Sequence, residues 1–287
     1  MTRSSPTCCH GRAGVWKGVP LFSLLLLPPI FRAFISLIFA GAAFPLAGVM
    51  VLRMNLLQLR YTLMHGLLLG GALALAFDLP SIPVYVLMCT LTVVFILVLS
   101  RKGRLNMGVS SAFLMVLAVA LAAIITQAAD VPSKDTLALL WGSPFTVQTG
   151  ELAAFALLSL LIILYTVFNF RTILLVFFDR DVALSSGENI SLHETVMVFL
   201  IAFAVALSMR FVGSLLIDAL LILPAVIALK IAGSIRKLFI IAGLMGLLTA
   251  ATGFMLSLVL DMPPSSMIAA SSALIYILIP HRKGKKL

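Results

Sequence analysis

Residues 238–260 read LFIIAGLMGLLTAATGFMLSLVL, with Arg236 and Lys237 directly before them and Asp261-Met262-Pro263-Pro264 directly after. No side chain in that run ionises, and a helix of this length rises about 35 Å. The hydrocarbon core of a bilayer is about 30 Å thick. A surface helix of a soluble protein carries a charged face opposite its apolar stripe. Residues 238–260 have no such face, so lipid is their solvent.

Working outward from this run, cutting the chain at its charges and prolines leaves similar segments at 33–52, 61–77, 82–99, 107–126, 152–170, 192–209, 212–229 and 265–279. The chain of 287 residues is 62% hydrophobic and 10% charged, with mean hydropathy +1.20. Soluble domains are nearer half apolar and a quarter charged. The expected fold is therefore an all-α polytopic membrane protein of about nine transmembrane helices, or eight if the tightly joined segments 192–209 and 212–229 are counted differently. Residues 1–30 form an amino-terminal tail and interfacial segment, 31–281 the transmembrane domain, and 282–287 a basic cytoplasmic tail. Within the first of these, Arg3, Arg12 and Lys17 precede a short apolar stretch at 19–27, interrupted by Pro28-Pro29. It is too short to span and reads as a helix lying on the outer leaflet, with an uncleaved crossing segment as the alternative.

The net charge of +10 does not point to nucleic acid, because the cations occupy short gaps between apolar runs instead of one basic face. One orientation collects Arg53, Arg60, Arg101, Lys102, Arg104, Arg171, Arg180, Lys230, Arg236, Lys237, Arg282, Lys283, Lys285 and Lys286 on the inner side. It leaves only Lys134 and Arg210 outside between spans. Cytoplasmic loops concentrate Lys and Arg, so the carboxyl terminus is expected in the cytoplasm. The gaps have no room for a soluble catalytic domain. No G-x-x-x-x-G-K-[ST] occurs either, so a nucleotide would have to be bound by another polypeptide.

Three sites have ligand-type residues and plainer explanations beside them. Cys8-Cys9-His10 lies in the tail and has no zinc-knuckle spacing. His193-Glu194 resembles the start of H-E-x-x-H, but Met197 stands where the second histidine belongs; Ser191 as helix N-cap with Glu194 in a capping box is the simpler expectation. His65 and Asp218 lie inside apolar runs, where ionisable groups are costly and mark pathways or buried pairs. Asp218 needs a cation, a proton, or a partner such as Arg210 two turns away. Pro224 follows and should loosen the same helix.

Several stretches, in order, resemble the permease subunits of bacterial ABC importers for zinc, manganese and iron. Arg53-Met54-Asn55-Leu56-Leu57 with His65 is similar to the segment joining that family's first two spans. Trp141-Gly142-Ser143 with Val147 resembles its outer F-G-S-x-x-x-V. Phe178-Asp179, Ala183 and Gly187 follow its cytoplasmic F-D-x-x-x-A-x-x-x-G. Val212-Gly213 through Leu223-Pro224-Ala225 resembles its V-G-x-L-L…L-P-A span, and Asp261-Met262-Pro263-Pro264 its D-x-P-P turn.

The resemblance implies a non-enzymatic transporter subunit of the bacterial inner membrane, without a cofactor, whose cargo is a divalent metal. It implies as partners a cytoplasmic ABC ATPase, an extracytoplasmic metal-binding protein and a second permease, as homodimer or heterodimer. It also makes Phe178, Asp179, Ala183 and Gly187 the loop that docks into the ATPase, and puts His65, with Asp218 as candidate companion, on the metal pathway. The chain departs from the family's G-D-x-x-S-H by carrying Tyr61 in place of the Asp, and Leu69 where a Pro is usual. A permease for a metal chelate or vitamin B12, and a self-contained secondary carrier, are the alternatives.

Overall fold

The computed structural model describes residues 27–102, 106–129, 149–178, 190–212 and 214–280. Every regular element among them is helical: α1 Pro28–Arg53, α2 Leu57–Ala76, α3 Ser81–Lys102, α4 Met107–Ala128, α5 Thr149–Phe168, α6 Phe170–Phe178 and α7 Ile190–Val212. Then follow α8 Ser214–Ile217, a π-helical turn Asp218–Ile222, α9 Leu223–Ile231, α10 Ile235–Leu260 and α11 Pro264–Leu278. The tail through residue 26, most of the 127–151 segment, Asp179 to Gly187 of the expected docking loop and the basic tail from 281 lie outside the described residues.

Among the described residues, seven helices (α1 to α5, α7 and α10) are long and apolar enough to cross a membrane. The 212–229 run is instead a helix broken into α8, the π-turn and α9, and the last run is the 15-residue α11. The chain is a multi-pass helical membrane protein. Its surface agrees, because the exposed side chains along α4 and α5 include Val116, Ile124, Leu157 and Val167. Such a face costs free energy in water and none against lipid tails.

Turn chemistry sets the helix ends. Asn55 takes a left-handed φ of 55° between α1 and α2, and Asp261 one of 53° after α10. Short polar side chains tolerate this region better than most. Asn106 caps α4 by accepting the Gly108 amide at 3.0 Å. Ser234 caps α10 by accepting that of Lys237 at 3.4 Å. The fifth span bends at Asn169 and continues as α6, with the Ile173 amide still donating to Asn169 O at 2.9 Å. Ser191 is not the expected N-cap, since α7 has already begun at Ile190.

Helix α1 is the axis of the bundle, packing on α5, α7, α9, α10 and the π-turn. In lipid, helix association depends on close packing rather than on excluding water, so small residues decide where backbones meet. A Cβ on Gly41 would stand 2.7 Å from Gly246 O, and one on Gly246 would run into Gly41 O and Pro45. Gly48 is packed in the same way against the backbone carbonyl of Leu221 in the π-turn. Between α2 and α3, Gly66 and Gly70 face the side chains of Thr92 and Met88.

Charged and aromatic groups from helix ends collect at one end of the bundle. Arg53 closes α1 and lies 5.8 Å from the Phe177 ring centre; Arg236 opens α10 and lies 5.8 Å from that of Phe170. Phe239 stacks on Phe177 and meets Phe170 edge-on. Lys230, at the end of α9, donates to Tyr276 O of α11 at 2.9 Å.

Candidate functional site

The geometry at Asp218 begins with Pro224. Proline has no amide hydrogen and its ring pushes away the carbonyl four residues earlier, here that of Leu220. The ladder slips by one residue, and Leu223 N donates to Asp218 O, five residues back. Single π-turns inside α-helices are rare and recur at functional sites. This one places Asp218 at its head, in the middle of the broken helix.

The Asp218 carboxylate meets the guanidinium of Arg60, from the first turn of α2; the Arg210 side chain, named above as a possible partner, lies outside the described residues. Arg60 therefore does not serve as a cytoplasmic surface charge, as its position before an apolar run suggested. It is 2% exposed and the bulkiest fully buried side chain among the described residues. The guanidinium carbon lies 4.1 Å over the Tyr61 ring, and Nη1 stands 3.8 Å from Met64 Sδ. Cutting segments at charges had placed Arg60 outside its helix by construction. The signal that could have found it was Asp218 itself, because a carboxylate in an apolar run demands a cation from another helix.

His65 lies one turn beyond Tyr61 on α2. Its Nδ1 is 2.7 Å from Tyr61 O. A carbonyl oxygen can only accept, so Nδ1 carries the hydrogen and neutral His65 presents the lone pair of Nε2 outward. Histidines that bind metals are commonly held in this manner by their other nitrogen. No hydrogen bond or ion pair joins His65 to Asp218 among the described residues, and no three His, Cys, Asp or Glu side chains lie together as a metal cage. His193 is engaged elsewhere, 3.0 Å from the Tyr165 hydroxyl. Of the expected docking loop, only Phe178 falls within the described backbone, as the last residue of α6.

The arrangement is therefore a broken helix with a carboxylate at its break, an arginine reaching that carboxylate from α2, and an oriented imidazole further along α2. Several named proteins are similar to this chain. The chain is 26% identical over 220 residues to the high-affinity zinc uptake system membrane protein ZnuB of Buchnera aphidicola, covering 76% of this chain and 83% of that protein. It is 27% identical over 146 residues to the manganese import system permease protein ScaB of Streptococcus pneumoniae, covering 51% of this chain and 52% of that one. The solved structure of PsaBC from Streptococcus pneumoniae in complex with Fab superposes with a TM-score of 0.75 at 20% identity, over 90% of this chain and 92% of that one. That last likeness is one of fold. The sequence pattern of the ABC 3 transport family matches residues 27–282, and the chain belongs to that family.

Proposed function

We propose that this chain is the transmembrane permease subunit of an ATP-driven importer of divalent metal ions, of the zinc and manganese class. The observation that carries the reading is the family match from residue 27 to 282, together with relatives named for zinc uptake and manganese import. In this reading ATP is bound by a separate cytoplasmic subunit, metal arrives from an extracytoplasmic binding protein, and a second permease completes the pathway in the bacterial inner membrane. His65 offers Nε2 to the passing ion, and Asp218 supplies the carboxylate nearest the helix break. Residues 31–281 form the transmembrane domain between an interfacial amino-terminal segment and a basic tail. Phe178, Asp179, Ala183 and Gly187 form the docking loop for the ATPase.

The loop assignment yields the test of the whole reading. In the complex assembled with its ATPase, Gly187→Trp is expected to leave membrane insertion intact while metal-stimulated ATP hydrolysis and uptake of Zn2+ or Mn2+ are lost. Hydrolysis that remains coupled to uptake would remove the loop from the ATPase contact. A wild-type complex that moves neither metal would remove the function.

We also propose nine crossings, with the broken helix and α11 completing the seven longer spans and the carboxyl terminus in the cytoplasm. The gathering of Arg53, Arg236 and Lys230 with the ends of α6 and α11 supports a single cationic face of the bundle. Reporter fusions after Lys102, Ser185 and Lys285 should read cytoplasm, and fusions near Asp135 and Met262 should read the outside. A swap at any two of these positions overturns the map.

A further inference from the structure

The pair between Arg60 and Asp218 is lopsided. Arg60 is sealed at 2% exposure, whereas the Asp218 side chain is 40% exposed. The Oδ1 atom is shut away against Arg60, so the exposed part of the Asp218 side chain is the part turned away from that contact. A tie whose only task is to hold two helices together repays the cost of taking its charges out of water only when its geometry is good and its remaining donors are used. Here the Asp218 side chain is partly accessible, and Arg60 Nε has no hydrogen-bond partner among the described residues. The guanidinium also contacts the Tyr61 ring and the Met64 sulfur, both on its own helix and both uncharged.

From this asymmetry we infer that Arg60 is a tethered counter-cation: it neutralises Asp218 while the pathway is empty, and a transported dication approaching from the open side displaces it. The inference rests on the metal-import reading above and adds to it how the site is regulated. A guanidinium keeps its proton at any physiological pH, so Arg60 cannot leave Asp218 by becoming neutral. It leaves only if a stronger cation takes its place. A dication at the same carboxylate has twice the charge, and the displaced guanidinium can settle on the electron-rich Tyr61 face, where cations are weakly attracted. The displaced charge stays close and buried, and it repels the dication it made way for. Arg60 thus sets both how selectively the site fills and how readily it empties. The exchange takes place at the head of the π-turn, where the backbone ladder is already one residue loose, so a change of partner there shifts α8 against α9.

The test compares wild type, Arg60→Gln, Arg60→Lys and the double variant R60Q/D218N in the assembled complex. Uptake is followed against Zn2+ and Mn2+ concentration. Arg60→Gln is expected to lower the half-saturating metal concentration about tenfold and to slow maximal uptake by a similar factor, because the ion binds without competition and is no longer expelled. Arg60→Lys keeps a tethered cation and should keep a half-saturation near that of the wild type. R60Q/D218N removes both charges, so it should assemble normally and still fail to transport. Wild-type uptake by the double variant, or a tenfold shift in Arg60→Lys, would reduce the pair to a structural tie. A second readout does not need transport: Zn2+ should raise the melting temperature of the purified full-length Arg60→Gln chain, and should not raise that of R60Q/D218N. Equal Zn2+ responses in these two chains would overturn the inference. An Asp218-dependent response in a complex that moves neither metal would instead uphold the inference and sink the import reading.

Discussion

Gly48→Val is expected to leave the chain unable to assemble stably. The first atom of any side chain at residue 48 meets the Leu221 carbonyl oxygen, with Leu221 C 2.8 Å and Ala225 Cβ 3.2 Å away. The obstruction is backbone, and it belongs to the π-turn that precedes Pro224. No rotamer change relieves it, so α1 and the broken helix must separate. Overpacking of a tight core costs roughly 1–3 kcal/mol even where side chains can yield, and here they cannot. The amount of monodisperse protein extracted from membranes, and its melting temperature, should both fall sharply. Gly233→Val is the matched control, since nothing lies within 4 Å of a Cβ there. Equal losses in the two variants would show that the contact between α1 and the π-turn does not hold the bundle together.

The second large effect is expected at His65, on transport instead of assembly. The side chain is only half-buried, so truncation opens no sealed cavity. What disappears is an oriented Nε2, fixed by the 2.7 Å bond from Nδ1 to Tyr61 O. His65→Ala should lower Zn2+ or Mn2+ uptake on the order of 10–100-fold, the range seen when a metal-binding imidazole loses its orientation. Extraction yield and association with the ATPase should stay near those of the wild type. Normal uptake would take His65 off the ion pathway.

Most of the bundle was legible because lipid leaves a strong signature. The runs at 33–52, 82–99, 107–126 and 238–260 fall within α1, α3, α4 and α10. Pro224 was recognisable as a loosened point, but a missing amide does not say whether a helix kinks, stops or steps to a π-turn. The π-turn here also lies against Gly48 of α1, a contact that local pattern cannot reveal. The partner of Asp218 was hidden for a related reason. Arg210 was near in sequence and plausible along one helix, whereas Arg60 reaches Asp218 from α2, and contacts between distant helices leave no periodic trace. Tyr61 reads differently once the pair is seen. Where the family pattern has a carboxylate, this chain has an aromatic ring lying beneath the arginine that pairs with a carboxylate from another helix.

The bond from Lys230 to Tyr276 O has a consequence for biosynthesis. Helix α11 has 15 residues and a length of about 22 Å, well below the thickness of about 30 Å that a self-sufficient span covers. Its seat is made by earlier parts of the chain: Gly253 gives room for the Ile268 backbone, Thr249 O accepts from Ser271 Oγ at 3.4 Å, and Lys230 holds the Tyr276 carbonyl. These groups are all translated before α11 leaves the ribosome, so its berth exists when it arrives. A chain released early would keep Lys230 without that acceptor and a bare groove at Gly253, marks by which membrane quality control could distinguish an unfinished molecule from a finished one.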